Sequence, residues 1–222
     1  MVCIPRWSER TGAVLKLARA KRLGRLLHGS AWRFLALTAT DPALDRLYSA
    51  LRHSHGSSLD RDPIPGFTFP ALDFVRERIR PGCEVLEWGS GASTVWFHRQ
   101  GCTITSIEHD PRWHKTVSAG VSPPSVVLLR GLGEEYVRPV PTITKFNMIV
   151  IDGRSRSDCA AFITSEVAAG RHSPGLVVVF DDSERAHYRG AVKSLASVAR
   201  ECEVFSGTST VVLSKLTTVL TY

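Results

Sequence analysis

The sequence predicts an α/β fold: a doubly wound, mostly parallel seven-stranded sheet with an antiparallel edge, preceded by a helical extension. Three observations predict it. From about residue 69 onward, short apolar runs alternate with stretches of helical spacing. Several of those runs are apolar at nearly every position, as strands covered on both faces must be. The run Val85–Trp88 stops at Gly89-Ser90-Gly91 and passes into Thr94-Val95-Trp96-Phe97, a strand that breaks sharply into a helix.

The chain divides into a basic helical extension, residues 1–60, and an α/β domain, residues 61–222. Residues 10–37 contain good helix formers and no proline, with a break near Gly29-Ser30. Asp41-Pro42 starts a second helix that runs to about Arg52. His53 and His55 sit in a Gly/Ser loop and read as polar loop residues rather than metal ligands. Pro63-Ile64-Pro65-Gly66 marks the domain entrance. Apolar residues at 71, 72, 75 and 79 give a helix over 69–80, which Pro81-Gly82 stops before the strand 85–88. A helix over 92–100 leads to the strand 103–108, and Asp110-Pro111 caps a helix reaching about Ala119. Strands follow at 126–129, 147–151 and 175–180, the last two separated by a helix over 156–169. A helix over 184–200 precedes two short runs, 203–205 and 210–213, which close the sheet as an antiparallel pair.

Composition narrows the function classes. At 222 residues, 43% hydrophobic and 22% charged, the chain can build one good-sized core. No apolar run approaches the roughly 20 residues that span a bilayer. The N-terminus has no signal-peptide apolar core, so a cytoplasmic location is expected. Five scattered cysteines suggest neither a disulfide framework nor a zinc site. Residues 1–60 hold ten Lys/Arg against four Asp/Glu and carry nearly all of the +7 net charge. That extension reads as a solvated helical segment or an oligomer contact, with a basic patch for an anionic partner as the alternative.

Ligands of an open parallel sheet bind outside the carboxyl ends of its strands. Four of the first five strands of the α/β domain finish there in or beside a carboxylate: Glu87, Glu108, Asp152 and Asp181-Asp182. At the glycine turn, Gly89 and Gly91 allow close backbone approach, and Ser90, Ser93 and Thr94 make a polar cradle. Glu87 lies two residues before Gly89 and would repel a pyrophosphate. It suits a cation such as the sulfonium of S-adenosyl-L-methionine. Glu108, 17 residues beyond Gly91, stands where an acid binds both ribose hydroxyls of a nucleoside, with His109 and the Arg130-Gly131-Leu132 turn flanking the adenine.

Asp152, Asp181 and Asp182 end adjacent strands, and together they suit a hard divalent cation, Mg²⁺ above others. Such a metal would activate an acceptor hydroxyl; without one, Asp152 or a histidine, His187 being the candidate, would act as general base. Arg154, Arg156 and Arg185 cluster on the same rim, where they either clamp a carboxylate or phosphate of the substrate or balance the aspartates. Tyr188 is a candidate to face the acceptor.

Glu87-Trp88-Gly89-Ser90-Gly91 resembles the first motif of class I S-adenosyl-L-methionine-dependent methyltransferases. Asp152 with Asp181-Asp182 is similar to the acidic site of catechol-type metal-dependent O-methyltransferases. Residues 87–94, Ile107-Glu108-His109-Asp110 with Trp113, and Ile151-Asp152-Gly153-Arg154 resemble a broad bacterial methyltransferase group whose pattern recurs in glucuronoxylan methyltransferases. This last likeness spans roughly residues 64–214. The resemblance implies a Rossmann-like fold, S-adenosyl-L-methionine as cofactor and Asp152 within its reach. Amino-methylating nucleic-acid enzymes often carry an Asn/Asp-Pro-Pro-aromatic motif where this chain has Asp152-Gly153-Arg154-Ser155, so a hydroxyl of a small molecule is the expected acceptor.

Two other classes compete. An NAD(P)-dependent oxidoreductase would share the fold and Glu108, but Glu87, Thr94 and the acidic strand ends disfavour it. A nucleic-acid-binding protein would use the basic N-terminus, but no recognised motif supports it and the rim acids repel phosphates. The expected partners are a small-molecule acceptor and a second copy through the N-terminal helices, not a membrane.

Overall fold

The computed structural model describes residues 4–6, 59, 63–207, 209 and 215–222. The helices expected over 10–37 and 41–52, the histidine loop and the strand expected at 210–213 lie outside those residues. The strands are β1 (Ile4–Arg6), β2 (Glu84–Trp88), β3 (Thr103–Glu108), β4 (Val126–Leu129), β5 (Met148–Ile151), β6 (Val177–Asp181), β7 (Glu201–Gly207) and β8 (Lys215–Thr221). The helices are α1 (Phe69–Arg78), α2 (Ala92–Arg99), α3 (Pro111–Ser118), α4 (Glu134–Val137), α5 (Arg156–Ala168) and α6 (Arg189–Val198), with a 3₁₀ turn over Ala186–Tyr188.

Seven strands form the expected sheet, and β1 adds a short parallel edge beside β7; the spatial order is β1-β7-β8-β6-β5-β2-β3-β4. The strands β6, β5, β2, β3 and β4 are parallel neighbours, and β8 runs antiparallel between β6 and β7. The antiparallel edge is therefore present, but its last strand lies later in the chain than 210–213. The alternation in Lys215-Leu216-Thr217-Thr218-Val219-Leu220 is blurred by two threonines, and for that reason the strand escapes a reading by apolar runs.

The pleat explains why the central strands carry apolar residues on both faces. Leu86, Trp88, Ile149, Ile151, Val178 and Phe180 point to one face, under Cys159, Ala160 and Ile163 of α5 and Leu195 of α6. Val85, Ile104, Met148, Val150, Val177 and Val179 point to the other, under Phe69, Leu72 and Val75 of α1 and Trp96 and Phe97 of α2. Residues 71, 72, 75 and 79, the predicted apolar stripe, are all buried. Asp110 caps α3, its carboxylate accepting from the N–H of Arg112 at 2.8 Å and of Trp113 at 3.0 Å.

From β2 the chain winds outward through β3 and β4, then returns to the other side of β2 with β5 and β6. The reversal lies between β2 and β5, and a crevice opens at their carboxyl ends.

Candidate functional site

A cavity of about 730 Å³ occupies that crevice. Its floor is Gly89, Ser90, Gly91, Ala92 and Ser93 after β2 and Asp152-Gly153 after β5. Glu108, His109, Asp110, Trp113 and Tyr136 line the side over β3. Gly66, Arg154, Ser155, Arg156, Arg185 and Tyr188 line the side over β5 and β6. A pocket of this size is ordinary for a nucleotide-sized ligand.

The two turn glycines act differently. At Gly89, φ is +92° and an added Cβ would lie 2.5 Å from Gly153 Cα, so the turns after β2 and β5 touch backbone to backbone. An added Cβ at Gly91 meets nothing within 4 Å. Since Gly91 also lines the cavity, that open space is room for a ligand.

Glu108 is 3% exposed, and its carboxylate accepts from the backbone N–H of His109 at 2.7 Å and of Asp110 at 2.8 Å and from Ser90 Oγ at 3.0 Å. His109 Nδ1 lies 2.8 Å from the same carboxylate. Three donors or near contacts hold one oxygen, and the other takes a single hydroxyl, so it retains capacity to accept from a ligand. Trp113 donates its indole N–H to Ser90 O at 2.7 Å and leaves its ring 41% exposed at the cavity edge. Tyr136, fully buried, accepts from Arg154 N–H at 3.0 Å. Burial pushes its phenol well above the ordinary range.

Glu87 and Thr94 do not line the cavity. The pleat turns the Glu87 side chain beneath α2, on the same face as Val85, instead of upward at the rim. There it is fully buried and accepts from Ser93 Oγ, from Thr94 Oγ1 at 2.5 Å and from Ser106 Oγ at 2.7 Å. Its hydrogen-bond partner Ser93 does line the cavity. Burial raises the Glu87 pKa to about 7, against the pull of the three hydroxyls. The folded state therefore keeps a proton there that the unfolded chain has lost, and stability falls as pH rises from about 4.5 to about 7. The expected contribution is about 3 kcal/mol at most. Urea unfolding of Glu87→Gln at pH 5 and 7 should show a shallower pH slope than the parent; an equal slope would refute the assignment.

The acidic triad is closed by cations. Asp152, Asp181 and Asp182 present oxygens within 4.8 Å of one another. Lys215 Nζ, only 4% exposed, reaches both Asp181 and, at 2.8 Å, Asp182. Arg156 lies 2.8 Å from Asp152 and 3.3 Å from Asp182, and Arg185 lies 2.6 Å from Asp182. Thr217 Oγ1 donates to the second oxygen of Asp181 at 2.8 Å. Asp181 and Asp182 lie outside the cavity lining. Three carboxylates thus meet three protein cations, and a divalent ion would have to displace an ammonium. The donor set does not fit the expected Mg²⁺. Convergent acids do demand a counter-charge; here Lys215 supplies it from 34 residues beyond Asp181, across the β6–β8 pair, where no local motif reveals it.

Burial and the Asp181 charge hold Asp152 above the usual carboxylate range, although Arg156 and Lys215 pull the other way. Burial likewise raises Asp181 against the pull of Lys215. Burial also works on Asp182, but the hydrogen bond and charge of Lys215, with the two arginines, hold it below.

Other expected site residues fall outside the lining. His187, on the 3₁₀ turn, is exposed, its ring 4.0 Å from that of Tyr188, and it does not line the cavity. Gly131 and Leu132 are exposed beyond β4 and do not reach the lining, Leu132 being 58% exposed. Arg156 lines the cavity but acts as a strut: its donors go to Gly153 O at 3.0 Å, Asp181 O at 2.6 Å and Asp152 O at 2.8 Å besides the two aspartates. Trp113 appears in the sequence only as part of a pattern, and Tyr136 sits in α4, a helix too short for periodicity to reveal.

No family model matches the chain, and no curated protein matches it. Solved structures do. A methyltransferase from Pyrococcus furiosus aligns with a TM-score of 0.51 at 15% identity, over 68% of this chain and 81% of that one. A precorrin-6y C5,15-methyltransferase from Geobacter metallireducens gives 0.50 at 13% identity, over 68% and 86%. A precorrin 8w decarboxylase from Methanobacterium thermoautotrophicum gives 0.50 at 13%, over 71% and 91%. Nothing in these comparisons supports the narrower glucuronoxylan or catechol-type resemblance. The chain has the Rossmann-like fold seen in these structures.

Proposed function

We propose that the protein is an S-adenosyl-L-methionine-dependent methyltransferase acting on a hydroxyl of a small-molecule acceptor. The observation that carries the reading is the cavity at the β2–β5 reversal, roofless over Gly91 and walled by the carboxylates Glu108, Asp110 and Asp152. Glu108 and Asp110, on the side over β3, disfavour a pyrophosphate at that end and favour a cationic nucleoside, while the three lining arginines stand over β5 and β6. The free capacity of Glu108 suits ribose hydroxyls, and the Trp113 face and His109 suit an adenine. When bound, the cofactor supplies an electrophilic sulfonium methyl.

The chain's own contribution is alignment and proton handling. Asp152 lines the cavity, and its raised proton affinity lets it take the proton an acceptor hydroxyl gives up as that oxygen is methylated. Arg156 fixes the Asp152 carboxylate through its 2.8 Å pair. No step needs a metal.

Calorimetry with S-adenosylhomocysteine and NAD⁺ tests the reading. The first should bind and the second should not. Gly91→Ala should leave the melting temperature unchanged and weaken S-adenosylhomocysteine by about tenfold or more, because its Cβ fills ligand space. NAD⁺ binding without S-adenosylhomocysteine binding would transfer the protein to the oxidoreductases.

A further inference from the structure

The charges on the β5–β6 side of the cavity balance except at one residue. Asp152, Asp181 and Asp182 are matched by Arg156, Arg185 and Lys215. Arg154 remains. It is exposed on the cavity wall, and no hydrogen bond or ion pair of its guanidinium is present among the described residues. Arg185 engages Asp182 through Nη2, and its Nε and Nη1 have no partner among the described residues. The Tyr188 hydroxyl, in the same wall, is likewise without a partner among the described residues. The non-glycine residues at positive φ among the described ones, Ser155 at +48° and Asp182 at +55°, lie next to these arginines on the rim. Strained backbone of this kind persists where a site fixes it.

The position of this wall says which ligand it serves. In the methyltransferase reading, Glu108 and Trp113 hold the nucleoside over β3, at the other end of the cavity. The wall over β5 and β6 then faces the acceptor.

We propose that the acceptor carries an oxyanion, a carboxylate or a phosphate, and that Arg154 and Arg185 bind it, with the Tyr188 hydroxyl as a third donor. Planar guanidinium groups grip both oxyanions bidentately. This rests on the methyltransferase reading above. Arg156, its donors spent on the protein, takes no part in recognition.

The test is calorimetry on protein saturated with S-adenosylhomocysteine, titrated separately with inorganic phosphate and with benzoate. Saturable binding of one of them is expected, and the tighter of the two identifies the oxyanion. Arg154→Gln, at an exposed position, should weaken that binding by about tenfold while leaving S-adenosylhomocysteine affinity unchanged. Arg185→Gln should do the same to a smaller degree. If neither anion binds to protein that does bind S-adenosylhomocysteine, the oxyanion proposal is overturned and the transferase reading stands. If Arg154→Gln loses S-adenosylhomocysteine affinity and keeps anion binding, the arginine holds the cofactor's own carboxylate, and the proposal is likewise overturned. If S-adenosylhomocysteine does not bind at all, the underlying reading fails and takes the proposal with it.

Discussion

Lys215→Met is expected to lower the unfolding free energy by about 3–5 kcal/mol at pH 7, the cost of leaving buried carboxylates without their partner. The ammonium is 4% exposed and bonds Asp181, Asp182 and Gly66 O, the last at 3.0 Å. It therefore ties β8, the end of β6 and the domain entrance together. Methionine keeps the volume but supplies no charge. Asp181, already raised by burial, must then be ionised unpaired or keep its proton. The sign of the pH dependence follows. Below the unfolded carboxylate range, both states are protonated at Asp181 and its share of the deficit vanishes. The deficit grows as pH rises toward neutrality. Urea unfolding at pH 5 and 7.5 should show the larger loss at 7.5, and a loss below about 1 kcal/mol at both would refute the role. The same variant removes the ammonium from beside three carboxylates whose oxygens lie within 4.8 Å of one another. Millimolar Mg²⁺ should therefore raise the melting temperature of Lys215→Met and leave that of the parent unchanged. Stabilisation of the parent by Mg²⁺ would restore the metal that the ion pairs argue against.

How much of this was legible in the chain depends on the range of the interaction. Strands β5 and β6 were readable because two-sided burial leaves an apolar run that needs no knowledge of neighbours. Strand β8 was not, because its threonines are shaped by tertiary contacts: Thr217 bonds Asp181, 36 residues away, and Thr218 bonds Ser183 at 2.9 Å. Sequence position brought Glu108 and Asp152 to the rim, since strand ends converge there in any parallel sheet. It misjudged Glu87 because motif position says where a backbone lies, whereas the period-2 pleat decides which way the side chain points. The acidic triad shows the same division. Convergence of the aspartates was legible; the identity of the cation that answers them was not, because Lys215 arrives on a strand that no local pattern announces.

Gly89→Ala is expected to destabilise the fold by about 3–5 kcal/mol, from two costs that add at one atom. The first is conformational: φ is +92°, outside what a side chain adopts without strain. The second is steric: the new Cβ would sit 2.5 Å from Gly153 Cα and 2.7 Å from Gly153 N, backbone atoms that no rotamer change can move. Relief by shifting the β5 turn is blocked in turn, because Gly153 is itself wedged under the Tyr136 hydroxyl, 2.1 Å from where its own Cβ would lie. Tyr136 is held from behind by the Trp88 indole N–H, which donates to its carbonyl at 2.7 Å. The strain has nowhere to go, and the two strands whose separation opens the cavity would have to part. Gly91→Ala, two residues on, meets open space and should cost the fold nothing. Thermal unfolding of the two variants side by side separates these roles: a large loss at 89 with none at 91 is expected. Comparable losses at both would show that the turn, rather than the contact between the β2 and β5 ends, sets the requirement for glycine.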